Sequence, residues 1–306
     1  MKAIVYDRFG GPEVLDYREV PDPKLSQNSV LIRVKAAALN PADIALQAGL
    51  GETHTSAWFP VIPGWDVAGV VDAVGPGVNE FVPGDEVISY IREEILHHGG
   101  YAEMVAVPVH AVVRKPVKAS WEESAGLPLA GLTAYRAIVQ TLAVTPQDVV
   151  LIHGASGGVG LLAAQLARNA AARVIGTAAK SNHDLLRTLG VEPVEYGEGL
   201  VERIRHIVPE GVTAVLDCVG HGTLRATATA NRADARVCSV ADAGPEIVTV
   251  FARQEPDVLR RLAQLMDDGK LRVIVAQTFP LHEAANAQRA LASRHNGGKV
   301  VLVPPG

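Results

Sequence analysis

Several things are scarce in this sequence, and each scarcity closes a class of explanation. Cysteine occurs twice, at Cys218 and Cys238, each inside an apolar strand-like run, so a disulfide scaffold is excluded and buried reduced thiols are expected. No apolar run approaches the roughly 18 residues needed to span a bilayer. The opening Met-Lys-Ala-Ile-Val-Tyr-Asp-Arg returns to charge before a signal-peptide core could form, and a cytoplasmic protein is therefore expected. There is no basic block, and the net charge is −5, which argues against nucleic acid or an anionic membrane as the main partner. Internal repeats, low-complexity tracts and long linkers are missing too. What remains is an ordinary globular composition, 48% hydrophobic and 20% charged over 306 residues, long enough for two domains with a substantial core.

The most informative stretch runs from Val149 to Lys180. An apolar run, Val-Val-Leu-Ile-His, leads into Gly154-Ala155-Ser156-Gly157-Gly158-Val159-Gly160, then into a helical segment of small and apolar residues, then into Arg173-Val-Ile-Gly-Thr-Ala. A continuous apolar run of strand length fits a strand buried on both faces. The glycines permit a tight turn and let backbone N–H groups approach a pyrophosphate, which the next helix N-terminus also favours. A glycine turn closing a strand, opening a helix and followed by a second strand predicts dinucleotide binding; the competing explanation is a structural turn in an unrelated α/β protein. The second strand ends Thr177-Ala178-Ala179-Lys180-Ser181 with no carboxylate, and Lys180 and Ser181 can donate to a 2′-phosphate. NADPH is thus favoured over NADH, unless Lys180 is simply a solvated loop lysine.

The first third has a different grammar. Short β-rich runs at Lys2–Tyr6, Val30–Leu39, Asp66–Val74, Asp85–Ser89 and Tyr101–Val107 are separated by Pro and Gly clusters, which predicts a mostly antiparallel β domain with barrel-like closure. From about Trp121 helix and strand alternate. Strand candidates at Glu192–Glu195, Thr213–Asp217, Ala235–Val240 and Ile247–Val250 join the two already named to give a doubly wound sheet of six. Beyond it come a helix near Asp257–Met266, a strand near Val273–Ala276, a helix near Leu281–Leu291 and a strand at Lys299–Val303.

Taken together, Gly11-Pro-Glu-Val-Leu15, Leu39-Asn-Pro-Ala-Asp43, Pro63-Gly-Trp-Asp66, Pro83-Gly-Asp-Glu-Val87, Gly99-Gly-Tyr-Ala-Glu103, Gly131-Leu-Thr-Ala134, the glycine turn and Gly298-Lys-Val-Val-Leu302 resemble, end to end, the zinc-independent medium-chain dehydrogenase/reductases of the quinone oxidoreductase type. The resemblance implies an α/β chain: a GroES-like domain of β-barrel type, residues 1–122 plus 254–306, and a Rossmann doubly wound parallel sheet at residues 123–253 that binds NADPH. It places nicotinamide and substrate in the cleft between them. It also implies a homodimer through Rossmann sheet edges, with Ile247–Phe251 as the candidate edge.

Zinc alcohol dehydrogenases, the sister branch, hold catalytic zinc with thiolate and imidazole ligands. In the matching places this chain has Leu39-Asn40 instead of a cysteine and Trp65-Asp66 instead of histidine–glutamate, and the cysteine cluster of a structural zinc is missing. No metal site is expected. The His97-His98 pair is read as an exposed loop feature, because adjacent side chains in an extended segment point to opposite faces. The chemistry left is hydride delivery from NADPH to an electron-poor acceptor, a quinone or an α,β-unsaturated carbonyl.

For that chemistry the resemblance points to Asn40, Asp43 and Thr133 at the nicotinamide end. Asn40 can donate to a substrate oxygen or can be the turn residue before Pro41; Asp43 can orient polar groups or stabilise that turn; Thr133 can contact the ring or initiate a helix. Tyr90, Tyr101 and Tyr135 are the candidate proton donors, though packing with a satisfied hydroxyl accounts for each as well, and solvent can serve. Tyr196 occupies a family position near the 2′-phosphate, against a role in packing at a strand end. The segment Asp217-Cys218-Val219-Gly220 closes the fourth strand, so that Cys218, Val219 and Gly220 approach the nicotinamide ribose through their backbone. Cys218 itself reads as a buried small residue, with no histidine or cation nearby to lower its pKa.

Two departures limit the transfer: the segment after Asp43 lacks a tyrosine that some relatives carry, and the stretch after the second strand lacks an arginine used for the 2′-phosphate. A loop near Gly49–Phe59 is expected to shape acceptor choice. Two other functions stay open, an enoyl or enone reductase of a specific biosynthetic or detoxifying substrate, and a nucleotide-binding sensor or structural protein without turnover.

Overall fold

In the computed structural model, which describes residues 1–51, 55–244, 247–293 and 297–305, the chain forms two units. One comprises residues 1–129, 254–269 and 273–306, and the other residues 130–253 and 270–272. Chain order begins with β1 (Lys2–Val5), β2 (Asp16–Glu19), β3 (Ser29–Ala38), α1 (Pro41–Gln47), β4 (Ser56–Ile62), β5 (Asp66–Val74), β6 (Glu86–Tyr90), β7 (Ile95–His98), β8 (Met104–Pro108) and β9 (Val112–Arg114). There follow α2 (Trp121–Ala125), α3 (Pro128–Tyr135), β10 (Val149–His153), α4 (Gly158–Asn169), β11 (Arg173–Ala178), α5 (His183–Thr188), β12 (Glu192–Glu195), α6 (Leu200–Ile207), β13 (Val212–Asp217), α7 (Thr223–Thr227), β14 (Asn231–Ser239) and β15 (Val248–Thr249). The chain closes with α8 (Pro256–Asp267), β16 (Val275–Pro280), α9 (Ala284–Ala292) and β17 (Lys299–Val303).

The first unit is built on a seven-stranded sheet in the order β16-β17-β3-β5-β6-β9, with β8 also paired to β3. All its pairings are antiparallel except β16 with β17. The ten-residue β3 holds three partners, and its inward residues Val30, Ile32 and Val34 pack with Val67, Val87, Val105 and Val300 in one apolar core. Burying such side chains is worth about 1.5–3 kcal/mol each relative to exposure.

The pair β4–β7 is not evident from the sequence. It is parallel, broken by a register shift between Ala57 and Ile62, and contains Pro60, so neither strand shows an uninterrupted alternation. This pairing takes in the last part of the loop expected at Gly49–Phe59, from Ser56 on; residues 52–54 lie outside the described residues. The strand expected from Tyr101 starts three residues later, at Met104, because Tyr101 is held elsewhere: its carbonyl accepts Ile4 N–H at 2.8 Å, and its ring lies against Gly64.

The second unit holds a six-stranded sheet, order β12-β11-β10-β13-β14-β15, with every neighbouring pair parallel. This is the order 3-2-1-4-5-6 within the sheet, and its direction reverses at β10. The crevice outside the carboxyl ends of β10 and β13 is where such sheets bind ligand. The apolar runs Val149–His153 and Val212–Asp217 are continuous because these central strands are covered on both faces; Leu151, Ile175, Val194, Ile204 and Val215 pack together on one of them.

Candidate active site

Within the second unit, the glycine turn stands at the carboxyl end of β10, as predicted. Gly154 has φ +71, and a Cβ there would lie 2.9 Å from Val219 Cγ2, so both conformation and space call for glycine. A Cβ on Gly160 would lie 2.3 Å from Gly154 O and 2.7 Å from Ala155 Cα, which is why α4 can start so close to the strand. Gly158, Val159 and Gly160 form the first turn of α4, whose amides find no acceptor inside the helix and are oriented for an anion. Thr177, at the end of β11, braces the turn: its hydroxyl accepts Gly154 N–H at 3.1 Å and its carbonyl accepts Ala155 N–H at 2.9 Å.

Lys180 and Ser181 are exposed and begin a short 3-10 turn after β11. Asn182, unmarked by any motif, ties that turn to the glycine turn by donating to Ser156 Oγ at 3.3 Å. Tyr196 is 59% exposed just past β12, on a loop whose carbonyls, of Glu195 and Glu198, accept from the Arg203 guanidinium at 2.8 Å.

At the end of β13 the turn through Cys218, Val219 and Gly220 is organised by Asp217, a residue that sequence reasoning placed only as a flank. Its fully buried carboxylate accepts from Val219 N at 2.9 Å, Gly220 N at 3.1 Å and Ser239 Oγ at 2.9 Å. Cys218 is partly exposed and Cys238 buried. Burial first, then the Asp217 charge, pushes both thiols upward, Cys238 to about 12, so neither is an activated nucleophile. Thr133 is the sixth residue of α3 and 5% exposed, which removes the helix-initiating explanation for it.

Asn40 and Asp43 are brought together in the first unit. Asn40 is the N-cap of α1, and Asp43 at the third helical position reaches back to accept Asn40 N–H at 2.8 Å, the reciprocal half of a capping box. The Asn40 side chain does not cap. Its Nδ2 donates to Asp66 Oδ2 at 2.9 Å, and its Oδ1 accepts from Lys299 Nζ at 2.6 Å. Asp66 is fully buried, with Oδ1 accepting Leu129 N–H at 2.8 Å and Lys299 Nζ 3.7 Å from Oδ2. Tyr101, also fully buried, donates its hydroxyl to Asp43 Oδ2 at 2.9 Å.

Burial, reinforced by Asp66 and resisted by the Asn40 N–H and Tyr101 hydrogen bonds, pushes the Asp43 carboxyl up to about 7. Burial likewise raises Asp66 and lowers Lys299, each opposed by the other's charge. The Tyr101 phenol is raised well above its ordinary value by burial and then by Asp43, and Tyr90 is raised by burial.

Asp43 also lines a cavity in this unit, together with Tyr6, Trp65, Glu93, His97 and His98. Tyr6, which the sequence did not mark, is 2% exposed. The two histidines correct an expectation: their rings are not on opposite faces but 3.8 Å apart at 40°. The irregular β4–β7 pairing breaks the alternation, and His97 Nδ1 is drawn to Trp58 O at 2.7 Å and Pro60 O at 3.1 Å. Two carbonyl acceptors require that Nδ1 carry the hydrogen.

The sequence matches the family Alcohol dehydrogenase GroES-like domain over residues 26–117 and the family Zinc-binding dehydrogenase over residues 189–302. A chloroplastic quinone oxidoreductase of Triphysaria versicolor is 31% identical, with 99% of this chain and 98% of that protein covered. An NADPH-dependent alkenal/one oxidoreductase of Arabidopsis thaliana is 33% identical, covering 99% of this chain and 80% of that protein. The structure of Escherichia coli quinone oxidoreductase complexed with NADPH superposes with a TM-score of 0.89 at 27% identity, over 99% of this chain and 100% of that one.

The second family's description raises zinc, and the donors here do not fit it. Among the described residues no group of three His, Cys, Asp or Glu side chains could hold a metal ion. Asn40, where the zinc branch has a cysteine, instead meets the Lys299 ammonium, a charge of the same sign as a metal. With its sequence matched from end to end by quinone oxidoreductases and its two units built as a GroES-like domain and a parallel Rossmann sheet, the chain belongs to the quinone oxidoreductase family of the medium-chain dehydrogenase/reductase superfamily.

Proposed function

We propose that this protein is an NADPH-dependent oxidoreductase that reduces quinones or α,β-unsaturated carbonyl compounds without a metal. The observation that carries the reading is the phosphate cradle of the second unit, a glycine turn at the switch point of the sheet with no carboxylate at the end of β11. The names of the relatives, a quinone oxidoreductase and an NADPH-dependent alkenal/one oxidoreductase, support the same cofactor and acceptor class.

The cofactor's pyrophosphate is assigned to Ser156, Gly157, Gly158, Val159 and Gly160, its 2′-phosphate to Lys180 and Ser181 with Tyr196 beside it, and its nicotinamide ribose to the backbone of Cys218, Val219 and Gly220. Gly154 and Thr177 shape the turn rather than grip the ligand. Bound there, NADPH supplies a hydride. That hydride would go to carbon of the acceptor, or to oxygen of a quinone, and a proton from solvent would balance the negative charge left on the acceptor oxygen. Asn40 is assigned the donor role toward that oxygen, Asp43 holds Asn40 and the cavity wall, and Thr133 contacts the nicotinamide ring.

The same reading assigns residues 1–122 and 254–306 to the substrate domain and 123–253 to the cofactor domain, and places the protein in the cytoplasm. No helix among the described residues is long and apolar enough to cross a membrane. A homodimer is proposed through β15, which ends its sheet and leaves Val248 and Phe251 exposed. The experiment is nicotinamide oxidation followed by absorbance, NADPH against NADH, with benzoquinone and a panel of enones and enals. Turnover with NADPH and one acceptor class fixes the reaction; tight NADPH binding without turnover of any acceptor rejects it in favour of a sensor.

A further inference from the structure

Lys299 opens β17 with 4% of its surface exposed, and its ammonium donates to Leu39 O at 3.0 Å and Asn40 Oδ1 at 2.6 Å. A lysine is almost never buried so fully without a partner. Here the partner is Asp66, whose Oδ2 also accepts from Asn40 Nδ2. An asparagine carboxamide has an acceptor end and a donor end, and only its neighbours decide which way it faces. An ammonium offers donors alone and a carboxylate acceptors alone. Turning the amide over would set its NH2 against Lys299 and its oxygen against Asp66. One orientation is therefore fixed from both ends, and Asp66 is itself pinned by Leu129 N–H. Of the two Nδ2 hydrogens one goes to Asp66, and among the described residues the other has no protein acceptor.

We propose that Lys299 is a positioning residue, which together with Asp66 locks the Asn40 carboxamide so that its second Nδ2 hydrogen is presented to the acceptor oxygen as negative charge develops there. This rests on the assignment of Asn40 as the residue that meets that oxygen. The ammonium does two things through Asn40. It removes the reorganisation that a freely turning amide would undergo at the moment of reaction, and by drawing on Oδ1 it strengthens the N–H donor at the other end. Both effects act on charge present in the transition state and not in the bound acceptor, so their loss falls on kcat rather than on KM.

The test uses the full-length protein with NADPH and one turned-over enone or quinone, and compares Asn40→Ala, Lys299→Met, Asn40→Ala/Lys299→Met and Lys299→Met/Asp66→Asn. The last variant leaves no unpaired buried charge, so it reports on positioning even where Lys299→Met alone fails to fold; circular dichroism verifies its fold. Asn40→Ala is expected to lower kcat about 100-fold, the scale of losing one oxyanion donor. Lys299→Met and Lys299→Met/Asp66→Asn should lower kcat at least tenfold while acceptor KM and NADPH Kd stay within about twofold. Because Lys299 acts through Asn40, the variant lacking both should be no slower than Asn40→Ala. Wild-type kcat in Lys299→Met/Asp66→Asn, or losses that multiply in Asn40→Ala/Lys299→Met, overturns the proposal while leaving Asn40 in place. Unchanged kcat in Asn40→Ala overturns the Asn40 assignment and this inference together.

Discussion

The ring of Tyr101 rests directly on the bare α-carbon of Gly64: a Cβ at Gly64 would fall 2.1 Å from Tyr101 Cδ1 and 2.2 Å from Cε1. Gly64 also has φ +93, outside the range side-chain-bearing residues adopt easily. Tyr101 cannot retreat without giving up its hydrogen bond to Asp43, since its fully buried ring is packed in the core. Gly64→Ala should therefore destabilise the protein by about 3 kcal/mol or more, combining overpacking with backbone strain. A urea denaturation midpoint within error of wild type would contradict this.

Gly160 is the corresponding pressure point in the second unit, but the atoms in the way are backbone, the carbonyl of Gly154 and the α-carbon of Ala155. Gly160→Ala must push the glycine turn away from the helix. The expected outcome is at least a tenfold weaker NADPH Kd by fluorescence titration, about 1.4 kcal/mol. Undiminished NADPH affinity would show that the turn does not hold the pyrophosphate.

Asp43 gives stability an unusual dependence on pH. Its folded-state value, about 7, lies above the ordinary 3.8, so the folded protein holds a proton that the unfolded chain releases between these two values. This contribution is complete below the ordinary value and lost as pH rises to about 7, on the order of 4 kcal/mol as an upper bound at 1.36 kcal/mol per unit. Asp43→Asn keeps an acceptor for Asn40 N–H and the Tyr101 hydroxyl without the charge. Its Tm relative to wild type should rise from pH 4 to about pH 7 and then level off; a difference that stays flat would sink the assignment.

His153, at the end of β10, works in the opposite sense. It is 1% exposed, with Nε2 3.1 Å from Thr227 Oγ1, and burial lowers it from 6.5 to about 4 despite the Asp217 charge. A depressed histidine contributes stability above 6.5 that is lost as pH falls towards 4, about 3 kcal/mol at most. The two groups oppose each other over overlapping windows, so single variants are needed to separate them. His153→Gln should flatten the acid side of the Tm profile. No change in that slope would mean that His153 is already charged in the folded state.

What the sequence disclosed follows from the range of the interactions involved. The parallel sheet was legible because its central strands, β10 and β13, are largely apolar runs and the glycine turn is a local motif, complete within Gly154–Gly160. Asn40 and Asp43 were marked by the family resemblance alone; read locally they suggested a turn at Pro41, where the chain instead starts a helix that the two residues join. Their partners were not. Lys299 lies 259 residues from Asn40, and the Gln47–Gln288 side-chain bond spans 241, distances over which no spacing rule operates. The β4–β7 pair and the stacked His97–His98 rings were missed or misjudged because a bulge breaks the two-residue period on which strand reading depends.

The position of Lys299 in the chain also constrains biosynthesis. A ribosome making this protein completes Asp66 early and then all of residues 130–253 before it reaches Lys299, which pairs with that carboxylate. At about 5–20 residues per second the interval from residue 253 to residue 299 lasts a few seconds. Throughout it the nascent β unit carries Asp66, destined for its interior, without its counter-ion and without β17 along β3. The antiparallel sheet of the first unit, in which β17 lies between β16 and β3, can therefore be completed only when the last residues of the chain have been made.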